Sequence, residues 1–508
     1  MKHIDQDGTQ INRKDKLMKK SVAKNYIYNL IYQILTIFLP LVTMPYLSRI
    51  LGAEAIGIFG YTGSIASYFI LFGSLGIALY GQREIAYKSN DKTEMTKSFL
   101  EIFIVKTITS LISIIIFYLI YCREGQYAFF YRLLSIQLFA GIMDVSWFFQ
   151  GIEEFDKNVT RNLIVKLISI ISIFVFVKTS DDLWKYFMIF VCSELFGNLS
   201  IWLYMPRYLC KVKFNELNFT KHIKPTLSLF VPQISIQIYT VLDKTMIGVL
   251  TNDMKEVGYY DQAQKIVKTA LVAVTALQTV MNSRVANAYS NNNNKEIKES
   301  MTNTFKYVWF LSIPITFGLI AVSSQFVPWF YGEGYERVIP IINAMAPILI
   351  AIGLNSVTGV QYLVQIGKQN ILTLSVTIGA IVNVILNIIL IKLFGGIGAA
   401  ISSVIAEFII LTIQLYNIKD QYTFTKIFKL SVKCFIGGIV MYIVVSIISK
   451  HLNISIINTI IEIAIGAGIY FLVLVILKEQ YMIDIYKQLN NILISKFKRR
   501  KKDENFII

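Results

Sequence analysis

The sequence predicts an all-α protein that crosses a membrane many times, and three observations carry that prediction. Of the 508 residues, 55% are hydrophobic and 16% charged, with a mean hydropathy of +0.56, whereas a soluble chain carries roughly 25% charged residues. The lysines and arginines stand in short clusters between apolar runs, most of which reach the ~20 residues that a helix needs to span hydrocarbon. A pattern of glycine, aromatic and arginine recurs 201 positions along the chain. Disorder is excluded, because 34 Phe and 29 Tyr in a dense Ile/Leu/Val background are the opposite of a chain that cannot bury apolar surface.

Taken in order, the predicted spans are 27–47, 56–79, 99–121, 129–149, 162–177, 184–205, 226–250, 258–282, 304–328, 339–365, 371–391, 397–417, 428–449 and 455–477, fourteen in all. The fifth is the shortest. The first follows a basic tail and has no small-residue cleavage site, so it reads as a retained helix and not a signal peptide. Pro40 and Pro45 in the first span, and Pro225 and Pro232 at the seventh, each remove a backbone hydrogen bond and predict a kink. Broken helices at matching places in two halves point to a transporter's binding site.

An even number of spans places both termini on one side of the membrane. That side holds 33 of the 49 lysines and arginines, whereas the other holds 8, among them Arg49, Arg123, Arg337 and Lys450. The excess marks the cytoplasmic side. The terminal cluster Lys496 to Lys502 lies just past the last span and reads as a contact with anionic lipid headgroups, not nucleic acid.

The repeat is explicit in the residues. Gly57-Ile58-Phe59 opens the second span and Arg83 closes it; Gly258-Tyr259-Tyr260 opens the eighth and Arg284 closes it. Glu194 and Glu407 sit in similar apolar surroundings, 213 apart. Two lobes of six spans follow, related by a pseudo-twofold axis along the membrane normal, with a cavity between them. The expected organisation is a basic tail 1–26, an N-lobe 27–205, a linker 206–225, a C-lobe 226–418, two appended spans within 419–477, and a basic tail 478–508.

A resemblance goes further than periodicity. Leu39 to Gly52, Gly57 to Gly60 and Arg83 to Ala86, then Leu242 to Gly248 with Gly258 to Asp261, and Gly367 to Gln369 with Gly395 to Ala400 ahead of Glu407, resemble the Wzx-type polysaccharide flippases. These belong to the multidrug/oligosaccharidyl-lipid/polysaccharide (MOP) exporter superfamily, which has a MATE-like fold. The resemblance covers roughly residues 20–420. It implies a bacterial cytoplasmic-membrane flippase that moves an undecaprenyl-diphosphate-linked oligosaccharide repeat unit for capsule, exopolysaccharide or O-antigen synthesis by alternating access. It also implies a proton or sodium ion as coupling ion and a polysaccharide polymerase as partner.

Such a substrate needs cations at depth, and ionisable groups inside spans cost about 2.5–3.5 kcal/mol each on insertion scales, so they are usually functional or paired. Asp261, Lys265 and Lys268 share one helical face, with Lys265 about 10 Å and Lys268 about 15 Å into the eighth span at 1.5 Å per residue. Two readings stand side by side: the lysines hold the diphosphate as point charges, or Asp261 ties up Lys265 while Lys268 snorkels along its helix. Arg83 and Arg284 are candidates for headgroup capture at the cytoplasmic mouth or plain positive-inside anchors, and Arg49 joins the candidate cavity cations. Asp243 and Lys244 form a candidate internal pair. Asp144, Glu194 and Glu407 either carry a coupling ion or cap buried polar networks.

No metal, cofactor or covalent chemistry is expected. Cys122, Cys192, Cys210 and Cys434 contain no CxxC pair, and His3, His222 and His451 are far apart, so neither a disulfide framework nor a metal-ligand spacing is present. Another exporter of the same superfamily, for lipid II, teichoic-type polymers or drugs, is the nearest alternative, since fold does not settle substrate. A membrane polysaccharide polymerase is the more distant one, because the external connections are too short for a catalytic domain.

Overall fold

The computed structural model describes residues 13–419 and 421–483, so the terminal cluster Lys496 to Lys502 lies outside the described residues. Each of the fourteen predicted stretches falls on helix. Ten helical segments among the described residues are long and apolar enough to cross a membrane. The chain divides into two compact units, Met1–Thr245 and Met246–Ile508, with the division inside a helix.

The first unit opens with α1 (Arg13–Ser74), which carries the first two predicted spans in one unbroken run except at Gly52, where φ is 78° and ψ 171°. That conformation is essentially reserved for glycine, and it separates two helices laid end to end. The prolines do not make the break. The carbonyl of Pro45 accepts from Ser48 Oγ at 3.0 Å and Arg49 Nη1 at 3.3 Å, and α8 (Ile223–Thr251) runs helical through Pro225 and Pro232.

A correction concerns the second span. It ends at Ser74, because Leu75 and Gly76 both take positive φ and two successive left-handed residues stop the helical ladder. Arg83 therefore lies on a separate helix, α2 (Ile77–Lys88). Next come α3 (Lys92–Phe117), α4 (Ala128–Met143), the short α5 (Ser146–Gly151), α6 (Phe155–Phe176) and α7 (Leu183–Ile201). Inside a bilayer, lipid tails are as apolar as leucine, so packing geometry and hydrogen bonds hold helices together. Phe59 of α1 accordingly meets Tyr186, Phe187 and Phe190 of α7 with ring centroids 4.6, 4.9 and 5.1 Å away. A second core gathers Phe99, Trp147, Phe148 and Phe149, all fully buried, beneath α2.

The second unit repeats the opening. Its α9 (Met254–Thr275) and α10 (Gln278–Ser290) end and begin 201 positions after α1 ends and α2 begins, at Thr275 against Ser74 and Gln278 against Ile77. Next come α11 (Asn294–Tyr331), α12 (Val338–Met345), α13 (Ile348–Asn355), a wide-turned segment Ser356–Leu363, α14 (Gln369–Phe394) and α15 (Gly396–Asn417). The turn from α14 into α15 is tight: a Cβ on Gly398 would stand 2.0 Å from the Leu390 carbonyl oxygen. After α16 (Phe424–Lys429), α17 (Val432–Ser449) and α18 (Ile456–Ile476) pack on α11, where Tyr470 Oη donates to the Phe310 carbonyl at 3.0 Å.

Candidate functional site

On α9 the two lysines of the cationic face stand in different surroundings. Lys265 Nζ lies 2.6 Å from Asp261 Oδ2, and the Asp261 side chain is 3% exposed. Asp261 thus fixes Lys265 along the helix, and its buried charge is compensated, as a buried carboxylate must be. Lys268, one turn on, is exposed. The face is a fixed ion pair followed by an outward cation.

The candidate arginines are tied locally. Arg83 holds its guanidinium 5.8 Å from the centre of the Tyr80 ring, inside cation–π range, and Arg284 Nε lies 3.2 Å from Glu296 Oε1. Each is the seventh residue of its helix, α2 or α10, and both remain exposed. Arg49 is exposed three residues before the Gly52 break. Asp243 is buried and Lys244 half-buried on α8; the next residue, Thr245, shares hydrogen bonds with Ser64 at 2.7 Å and Tyr68 at 3.3 Å.

The three carboxylates fall into two environments, neither of them purely apolar. Glu194 and Glu407 are both the twelfth residue of their helices, α7 and α15. Glu407 accepts from Asn355 Nδ2 at 2.5 Å on its side chain and 3.1 Å on its main chain. Glu194 instead faces a cavity of about 670 Å³ between α1, α4, α6 and α7, which Asp144, Arg161 and Lys166 also line. Asp144 closes α4: its Oδ1 accepts from the Ser146 N–H at 3.0 Å, and its carbonyl takes Lys106 Nζ at 2.6 Å.

Sequence reasoning missed the basic half of this cavity. It placed Arg161 in a loop because the fifth span was started at Asn162, whereas α6 begins at Phe155 and carries Arg161 and Lys166 on the helix itself. It also missed a chain of amides and hydroxyls in the second unit, in which Gln361 donates to Thr304 at 3.0 Å and Gln414 to Ser375 at 3.2 Å. Glutamine inside otherwise apolar spans was the available signal, since a buried amide must find partners.

Long apolar helices in two units with the same opening, carrying ionisable side chains at equivalent helix positions, are the architecture of a polytopic membrane transporter. Likeness to solved structures gives the same fold: the inward closed conformation of the lipid II flippase MurJ aligns with a TM-score of 0.73 at 19% identity, over 89% of this chain and 98% of that one. An inward-facing MATE family multidrug resistance transporter of the MOP superfamily aligns at 0.59 and 13%, over 77% and 95%. The chain belongs to the polysaccharide biosynthesis protein family, which matches residues 22–281, and the MatE family matches 229–389. The putative O-antigen transporter of Escherichia coli (strain K12) is 24% identical over 412 residues, 79% of this chain and 98% of that protein. The protein is a Wzx-type member of the MOP exporter superfamily and a transporter, not an enzyme.

Proposed function

We propose that the protein moves an undecaprenyl-diphosphate-linked oligosaccharide repeat unit from the cytoplasmic to the outer leaflet of a bacterial membrane, by alternating access of two lobes and with both termini cytoplasmic. The observation that carries this reading is the α9 face, where Lys265 is fixed on buried Asp261 at 2.6 Å and Lys268 is exposed beyond it. A diphosphate recruits the outward cation as a charge-assisted partner, while the fixed pair sets its position. The named O-antigen relative supports the cargo class. Arg83 and Arg284 capture the headgroup at the cytoplasmic mouth, Arg49 and the Asp243/Lys244 step add to the path, and a polymerase receives the exported unit. Glu407, held by Asn355, is the first choice for a coupling proton or sodium ion, with Asp144 and Glu194 as the other candidates.

The test is flipping in proteoliposomes, read as accessibility of the sugar to an external lectin. Lys268→Ala should slow flipping about tenfold, the loss of one charge-assisted contact, and Lys268→Arg should restore part of it. Wild-type flipping by the double variant Lys265→Ala/Lys268→Ala overturns the assignment of the phosphate site.

A further inference from the structure

The first unit contains a polar space beside an apolar groove, and its chemistry differs from that of the α9 face. We propose that it holds one zwitterionic phospholipid bearing a primary ammonium, with the headgroup in the cavity and an acyl chain in the groove beside it.

Three observations converge. The cavity, about 670 Å³, is lined by two cations, Arg161 and Lys166, and two carboxylates, Asp144 and Glu194, so both signs of charge are present. A second space of about 340 Å³ lies between α6 and α7 and is almost wholly apolar, lined by residues such as Ile168, Phe176 and Phe196. Those three side chains are 58%, 57% and 65% exposed, so the groove faces lipid. The two spaces share Val165 and Ser193. The two spaces therefore adjoin at Val165 and Ser193, where a shift of those two side chains would let a chain pass from the polar cavity into the groove.

Charge selects the occupant. A phosphodiester placed at Arg161 and Lys166 receives charge-assisted hydrogen bonds, and an ammonium three bonds away donates to the Glu194 carboxylate. Each buried charge of the lipid then meets its opposite, which is what burial of charge requires. A polyprenyl diphosphate would bring several negative charges against Glu194 and Asp144. A choline headgroup has no N–H to donate, and a glycerol headgroup has no cation. A lipid ammonium seated on Glu194 also occupies that carboxylate, which leaves coupling to Glu407 or Asp144. The inference does not depend on the cargo proposed above.

The test uses the full-length protein, delipidated in detergent and offered phosphatidylethanolamine, phosphatidylcholine and phosphatidylglycerol with the same chains, with bound lipid counted by native mass spectrometry. One phosphatidylethanolamine should be retained about tenfold better than either of the others, the worth of one charge-assisted hydrogen bond. Glu194→Gln should erase the advantage over phosphatidylcholine, and Ser193→Phe, which plugs the junction, should abolish retention of all three. Because a bulky plug at 193 also alters helix packing, a phosphatidylethanolamine with a photoreactive acyl chain is applied to the wild-type protein, where crosslinks should fall in the stretches 165–176 and 188–196. Equal retention of the three lipids, crosslinks confined to other helices, or stoichiometric displacement by undecaprenyl phosphate each overturn the proposal, the last by showing a cargo site instead.

Discussion

Tyr80 and Glu101 grip the imidazole of His222 from opposite sides: Tyr80 Oη is 2.6 Å from Nδ1, and Glu101 Oε2 is 2.7 Å from Nε2. An ionised Glu101 only accepts, so Nε2–H donates to it and the Tyr80 hydroxyl donates to Nδ1, which sets one neutral tautomer. Glu101 also accepts from the Asn218 N–H at 2.7 Å and from Lys221 Nζ at 2.8 Å. One carboxylate on α3 thus pins the whole 218–222 stretch that leads into α8.

A pH dependence follows. Burial pushes the His222 pKa down from 6.5, against the opposing pull of Glu101. The unfolded chain therefore takes up the proton first, so the stabilising contribution is complete above about 6.5 and is lost as pH falls from there toward the lowered folded value. Thermal melts in detergent between about pH 8 and pH 5 should show this loss, and His222→Gln should flatten it. Glu101→Ala should cost about 1–3 kcal/mol at neutral pH, because it leaves buried donors unsatisfied. An unchanged pH slope in His222→Gln would assign the dependence elsewhere.

Gly52 offers a test of backbone strain free of packing. A Cβ at Gly52 would meet nothing within 4 Å, yet its φ is +78°. Gly52→Ala should destabilise by about 1–3 kcal/mol through the dihedrals alone. Gly63, in the following helix and also with nothing within 4 Å, is the control: Gly63→Ala should be neutral or stabilising by up to about 1 kcal/mol. Equal melting temperatures for the two variants would place the α1 break elsewhere.

Much of the fold was legible because a bilayer imposes one rule on every span: an apolar run of fixed length between charges. The repeat was legible as well, and its offset of 201 reappears as helix ends at Ser74 and Thr275. The break after Ser74 was not legible, because it rests on Leu75 in a left-handed conformation that leucine rarely adopts. The partners of Arg161 were hidden for a different reason. They are Asn162 beside it and Asn198 on α7, and charge counting assigns a cation by its place in sequence, not by the helix across from it. For Lys265 the sequence offered two roles at equal spacing, and only side-chain geometry shows the Asp261 contact.

From the 33-to-8 distribution of lysine and arginine the positive-inside rule predicts that both termini are cytoplasmic. In a cysteine-free background, single cysteines at positions within 181–183 and 333–336 should react in intact cells with an impermeant maleimide. Positions within 291–294 should react only after the membrane is permeabilised. The reverse pattern would invert the topology and move Arg83 and Arg284 to the external face.

Asp261→Asn separates the fixed cation from its anchor. With the carboxylate gone, Lys265 keeps its charge inside a span without the 2.6 Å partner, which costs about 3–5 kcal/mol when the site is buried and less here, because Lys265 is 37% exposed. Lower yield and a lower melting temperature are expected, and Asp261→Asn/Lys265→Met should recover both without recovering flipping. Recovery of flipping as well would make the pair structural and leave Lys268 as the sole cation of that face.

Glu407 and Asn355 make the coupling proposal testable without breaking the site. Asn355 Nδ2 donates to both Glu407 Oε2 and the Glu407 carbonyl, and a glutamine in place of Glu407 keeps an accepting oxygen at the same reach while it can neither lose a proton nor balance a sodium ion. The local fold should survive, with melting within about 1 kcal/mol of wild type, since one neutral hydrogen bond replaces a charge-assisted one. Flipping down a substrate gradient should persist in Glu407→Gln, whereas acceleration by an imposed proton or sodium gradient should vanish. If Glu407→Gln still responds to the gradient and Asp144→Asn does not, coupling resides in the first unit, and the Glu407 contact serves only to hold α13 against α15.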